Sequence, residues 1–166
     1  MEAHLNNNSS LRSGLSLLLE SEGDAIFLLQ QVCDYLLENI ENCDWAGYYL
    51  VDPFCDKDLF LGPYAGDPTE HTRIGFGEGI CGQAAASGKT FIIADVKIES
   101  NYLSCNPEVR SEIVIPVFYD KALIGEIDLD SHVQDGFNED DRSLLEWLAD
   151  LTSELADQVR KGAAEN

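Results

Sequence analysis

The chain has 166 residues, 45% of them apolar, enough for one domain with a substantial core and too few for two ordinary ones. Its 10 lysines and arginines against 31 aspartates and glutamates give a formal charge of −21, which argues against nucleic acid or an anionic membrane as a partner. No apolar run reaches the roughly 20 residues that span a bilayer, and Met1 to Ser10 is polar rather than leader-like, so a cytoplasmic protein is expected.

Residues 1–19 read as a partly helical N-terminal extension, residues 20–161 as the domain itself, and residues 162–166 as a frayed tail. Within the domain, Leu28, Leu29, Val32, Cys33, Leu36 and Ile40 recur at spacings of three and four, the mark of one buried helix face, and Asp24 is placed to cap that helix. Residues 45–51 and 58–64 are strand-like and joined through Pro53, predicting a hairpin with Cys55 at its exposed tip. A short helix over 80–87 is followed by apolar runs at 91–96, 113–118 and 122–129, the last two close enough to be antiparallel neighbours. Asn138 caps a final helix whose stripe is Leu144, Leu148, Leu151, Leu155 and Val159. This order predicts an α+β fold, a mostly antiparallel central sheet with the N- and C-terminal helices packed on one side.

Two motifs mislead. Gly77, Gly79 and Gly82 fit the G-x-G-x-x-G dinucleotide pattern, yet the strand before them is short and polar and no βαβ series follows. Ser87-Gly88-Lys89-Thr90 ends like a phosphate-binding loop but carries the wrong spacing, and Gly88 reads better as a helix C-cap. The five cysteines (Cys33, Cys43, Cys55, Cys81, Cys105) are odd in number and irregularly spaced, unlike a secreted disulfide framework. With His4, His71 and His132 scattered and no CxxC, no metal site is expected from spacing.

What remains is an ordered set: Trp45-x-x-x-Tyr49, Leu61-Gly62-Pro63-Tyr64-x-Gly66, Gly77-x-Gly79-Ile80-Cys81-Gly82, Asp95-Val96, Cys105, Ser111-Glu112-Ile113-Val114-Ile115-Pro116 and Gly125-x-Ile127-Asp128-x-Asp130-Ser131. Over about residues 20–160 this resembles the GAF-domain family of free methionine-R-sulfoxide reductases. The resemblance implies a homodimer-prone GAF domain whose pocket binds free methionine-(R)-sulfoxide, with Cys105 as catalytic cysteine, Trp45 and Tyr49 enclosing the methyl end, and no bound cofactor. Its regenerating partner would be a thioredoxin-like reductant.

The chemistry is consistent with those residue types. A thiolate attacks the sulfoxide sulfur, the oxygen is protonated and leaves as water, and methionine and a cysteine sulfenic acid result. Glu112, Asp128 and Asp130 would share proton donation and ammonium binding, because crowded carboxylates raise one another's pKa. Asp128 and Asp130 share one strand face; taken alone they read sooner as a solvated edge, and Trp45 and Tyr49 as ordinary core, and it is Glu112 on the paired strand and the family resemblance that turn these readings toward a site. Cys81, near a helix start where the dipole lowers a thiol's pKa, is the expected resolving cysteine, and a helix-packing role is its alternative.

One departure stands out. Where many family members carry a further cysteine, this chain has Asp67-Pro68-Thr69-Glu70-His71-Thr72. Resolution of the sulfenic acid then falls to Cys81 or to an external thiol. The competing reading is a non-catalytic GAF module that senses a small ligand or redox state.

Overall fold

The β-branched and aromatic runs of the sequence become the middle of a sheet. In the computed structural model, which describes residues 2–103 and 106–165, six strands form: β1 (Trp45–Val51), β2 (Asp58–Ala65), β3 (Arg73–Gly75), β4 (Phe91–Ile93), β5 (Ser111–Tyr119) and β6 (Ala122–Ser131). They lie in the order β3-β2-β1-β6-β5-β4, every pair antiparallel. Tyr119 pairs with Ala122 across Asp120 and Lys121, both at positive φ (49° and 68°), the conformation a two-residue hairpin turn demands. The strand expected over 91–96 is shorter than its apolar run. Asp95 accepts hydrogen bonds from the Lys97 amide (3.1 Å) and the Arg110 guanidinium (3.2 Å), which turns the chain into a 3₁₀ turn at Val96–Ile98.

Helices α1 (Glu2–Leu19), α2 (Ala25–Asn39), α3 (Gly79–Ser87) and α4 (Glu139–Glu165) divide between the two faces of this sheet. Ala46, Tyr48, Leu50, Ile113, Ile115, Ile127 and Leu129 point toward α2 and α4, where Val32, Leu36, Leu144 and Leu148 meet them. Each such fully buried aliphatic side chain contributes about 1.5–3 kcal/mol. The terminal helices share that face, as expected, whereas α3 covers the opposite face through Ile80, Cys81, Ala84 and Ala85. Cys33 belongs to the first core and Cys55 is exposed at the β1–β2 turn.

The caps follow the sequence closely. Asp24 accepts from the Phe27 amide (2.9 Å), and Asn138 accepts from the Asp140 and Asp141 amides (2.8 and 3.1 Å) while its own amide donates to Asp141 (2.9 Å), a reciprocal capping arrangement.

Three expectations are corrected. The N-terminal extension is helical over Glu2–Leu19 rather than partly so, and it is built into the domain. Leu11 and Leu15 enter the core, and Arg12 lies 5.2 Å over the Trp147 ring and donates to the Ser143 carbonyl. The C-terminal helix runs past Gly162 to Glu165, through Ala163 and Ala164, residues of the highest helix propensity. On α4 the buried stripe passes through Thr152, not Leu151, which is 45% exposed. A 3.6-residue period admits either position after Leu148, and a buried phenol decides between them: Tyr48 Oη and Thr152 Oγ1 hydrogen bond at 2.9 Å, and Thr152 donates onward to the Leu148 carbonyl at 2.9 Å. Replacing Thr152 by valine conserves shape but strands that phenol. Urea denaturation of Thr152→Val is expected to show a loss of about 1–3 kcal/mol, the cost of an unsatisfied buried polar group.

Candidate active site

Register assembles the site. β6 lies between β1 and β5, pairing Asp130 with Trp45 and Glu112, Asp128 with Gly47 and Val114, and Glu126 with Tyr49 and Pro116. Alternation along the strands therefore places Trp45, Tyr49, Glu112, Glu126, Asp128 and Asp130 on the face beneath α3. Neither aspartate sits on a solvated edge; both are buried, as is Glu112.

The glycine frame exists to seat α3. Gly79 has φ +62°, and a Cβ on Gly82 would collide with the Gly75 carbonyl oxygen, so only glycine allows the helix to rest directly on β3. Asn101 ties the loop below it, accepting from the Gly79 amide (3.1 Å) and donating to the Gly77 carbonyl (2.8 Å). At the other end Gly88, at φ 66°, closes the helix by donating its amide to the Ala84 carbonyl, which makes 87–90 a helix cap and not a phosphate loop.

Docked in this way, α3 lowers Cys81 into the acids. Its Sγ donates to Glu112 Oε1 at 3.7 Å, and the sulfur and one carboxylate oxygen from each of Glu112 and Asp128 lie within 4.8 Å of one another. Here the expected electrostatics reverse. Burial pushes the Cys81 thiol well above its ordinary pKa, and Asp128, Glu126 and Glu112 push it further; at such a site the weak dipole of a short helix loses to desolvation and like charge. Burial likewise lifts Asp128 to about 6, opposed by hydrogen bonds from Cys81 and Glu112. Asp130 rises well above the carboxylate range through burial and then through Asp128 and Asp44.

Glu126, an unspecified position of the sequence motif, is a member of the cluster. It is 0% exposed, and burial holds its carboxyl largely neutral, with the Cys81 thiol beside it opposing and Asp128 reinforcing that shift. The period of two through 126, 128 and 130 was the signal that marked it.

The aromatic wall is equally definite. Trp45 stacks with Tyr49 (centroids 6.2 Å apart) and Tyr64 (5.6 Å), and its indole donates to the Asp67 carbonyl at 3.1 Å. Tyr49 Oη donates to the His71 carbonyl at 2.8 Å. Thus the segment that lacks the family's further cysteine is itself a wall of the pocket. Two small adjoining cavities meet at Tyr49, Asp128 and Asp130: Trp45 and Thr69 line the first, Cys81 and Glu112 the second.

Cys105 lies outside the described residues. Its sequence neighbours Leu103 and Asn106 line the second and first cavity respectively. Among the described cysteines, Cys33 and Cys43 belong to the helix-packed core and Cys55 is exposed, leaving Cys81 as the thiol at the acids.

The GAF domain family model matches residues 27–155. The free methionine-R-sulfoxide reductase of Escherichia coli is 32% identical over 149 residues, covering 89% of this chain and 88% of that protein. The chain belongs to this GAF-domain reductase family. The free methionine-R-sulfoxide reductase of Neisseria meningitidis, solved in complex with its substrate, superposes with a TM-score of 0.84 at 33% identity, over 98% of this chain and 95% of that one. The type II free methionine-R-sulfoxide reductase of Thermoplasma acidophilum gives 0.77 at 36% identity, over 81% and 94%. No helix among the described residues is long and apolar enough to cross a membrane.

Proposed function

We propose that this protein reduces free L-methionine-(R)-S-oxide to methionine in the cytoplasm, with Cys105 as nucleophile and Cys81 as resolving thiol. The observation that carries the proposal is the convergence of Glu112, Asp128, Asp130 and Cys81 on cavities walled by Trp45 and Tyr49. Relatives named for this reaction, one of them solved with its substrate, support it.

The Cys105 thiol gives up its proton, its sulfur bonds to the sulfoxide sulfur, and the S–O bond breaks as the oxygen takes up two protons and leaves as water. Water then attacks the Cys105 sulfur, releasing methionine and leaving a sulfenic acid. Asp128, whose carboxyl keeps a proton up to about pH 6, serves as acid toward the departing oxygen, beside Asp130, which burial holds protonated well above the usual carboxylate range, while Glu112 meets the substrate ammonium. Trp45 and Tyr49 enclose the methyl end.

Cys81 completes the cycle. Its thiol displaces the hydroxyl of the sulfenic acid as water, forming a Cys81–Cys105 disulfide that a thioredoxin-like dithiol reduces by exchange. Because burial among acids keeps Cys81 protonated at rest, its proton passes to that departing hydroxyl. The working unit is a homodimer.

Methionine formation from the separated R and S sulfoxides, with a dithiol reductant, tests the proposal. R-selective turnover is expected; equal rates on both epimers, or none on either, would overturn it.

A further inference from the structure

We propose that Cys81, Glu112 and Asp128, with Glu126 beside the thiol, form a site for a divalent cation of the zinc class. As a metal site it stands apart from the reductase reading; only its effect on turnover, blocking the resolving thiol, rests on that reading.

The distances suit such an ion. Tetrahedral zinc binds sulfur at about 2.3 Å and carboxylate oxygen at about 2.0–2.2 Å, which sets those two ligand atoms roughly 3.5 Å apart. Cys81 Sγ and Glu112 Oε1 are separated by 3.7 Å, and the Asp128 oxygen falls within 4.8 Å of both. These three ligands come from α3, β5 and β6, which is why linear spacing does not announce them.

A second observation comes from Asp128 and Glu126. Asp128 is buried, lines both cavities and has no hydrogen-bond partner at Oδ1, and the carboxyl of Glu126, wholly buried, lies against the Cys81 thiol. Buried carboxyls are ordinarily paired, hydrogen-bonded or bound to metal. Among the described residues no lysine or arginine forms an ion pair with Glu126, Asp128 or Asp130. A substrate ammonium meets the need of the carboxylates for charge but makes no use of the sulfur among them. A borderline-soft dication uses both. The cavity that reaches Cys81 is lined by Glu112, Asp128 and His71 as well. On binding, the Cys81 thiol and the protonated carboxyls release their protons.

Cobalt(II) is the probe, because a thiolate bound to it produces a near-ultraviolet charge-transfer band. The full-length protein, reduced and freed of reductant, is titrated with cobalt chloride under anaerobic conditions, then back-titrated with zinc chloride. The expected result is a band saturating at one equivalent and erased by zinc. Cys81→Ser abolishes it, Cys55→Ser leaves it unchanged, and Glu126→Gln weakens cobalt binding by about tenfold or more. Circular dichroism spectra matching the parent show that the variants are folded. No band in the parent protein, or a band that survives in Cys81→Ser, overturns the site; unchanged affinity in Glu126→Gln overturns the part assigned to that residue. Every readout is spectroscopic, so failure of the reductase assay and failure of the metal site are separate results.

Discussion

Cys105→Ser is expected to lower reduction of the (R)-sulfoxide by on the order of 10³-fold or more, the scale of loss when a covalent nucleophile is removed. A serine hydroxyl is scarcely ionised near neutral pH and cannot form the sulfur–sulfur bond on which oxygen release depends. Binding should survive, since the acids and the aromatic wall are untouched, and isothermal titration with the sulfoxide measures that separately. Cys81→Ser should behave differently, yielding about one methionine per chain and then a sulfenic acid that waits on an external thiol. Single-turnover assays with mass mapping under non-reducing conditions distinguish the two variants. Retained turnover in Cys105→Ser would remove the nucleophile from the scheme. A parent protein that accumulates sulfenic acid with Cys81 free would remove the internal disulfide.

The second large effect falls on Asp128→Asn, and it has two readouts. Loss of the proton donor should cost about 10²–10⁴-fold in turnover. Stability should move the other way. The Asp128 pKa is raised by burial from 3.8 to about 6, so the folded state binds this proton more tightly than the unfolded chain does. The stabilisation this represents is complete below about pH 4 and is lost as pH rises through 6. Over that window the loss is on the order of 3 kcal/mol, roughly half of it between pH 5 and 8. Asparagine cannot ionise, so the variant gains on the parent by that amount as pH rises. Urea denaturation at pH 5 and pH 8 measures the difference. A gap between variant and parent that does not change with pH would mean that the carboxyl is already ionised in the resting fold.

Much of this architecture is legible in the sequence. The hairpin turns, the caps at Asp24, Asn138 and Gly88, and the shared face of Asp128 and Asp130 all follow from local rules, and the structure agrees with each. Glu126 was missed because the motif carries it as an unspecified position between Gly125 and Ile127, although the alternation that marks Asp128 marks it equally. The environment of Cys81 was misjudged for a different reason. Its place near a helix start is local information, whereas the acids that oppose ionisation arrive from β5 and β6, more than 30 positions along the chain. Burial and like charge are set by tertiary packing, which no short window contains. Thr152 displaced Leu151 on α4 by the same logic, through a tyrosine 104 positions away.

The two faces of β6 differ as sharply as any strand's can. Glu126, Asp128 and Asp130 look one way, Ile127 and Leu129 the other. If β6 slid by a single residue against its neighbours, three carboxyls would be forced in among Leu36, Leu144 and Leu148 while two aliphatic side chains turned into the polar cleft. Misaligned pairings of the central ribbon are therefore heavily penalised. The groups proposed to handle the substrate double as a proofreading device for folding, and neutralising them together is expected to permit slipped, aggregation-prone sheets even where the compact state itself gains stability.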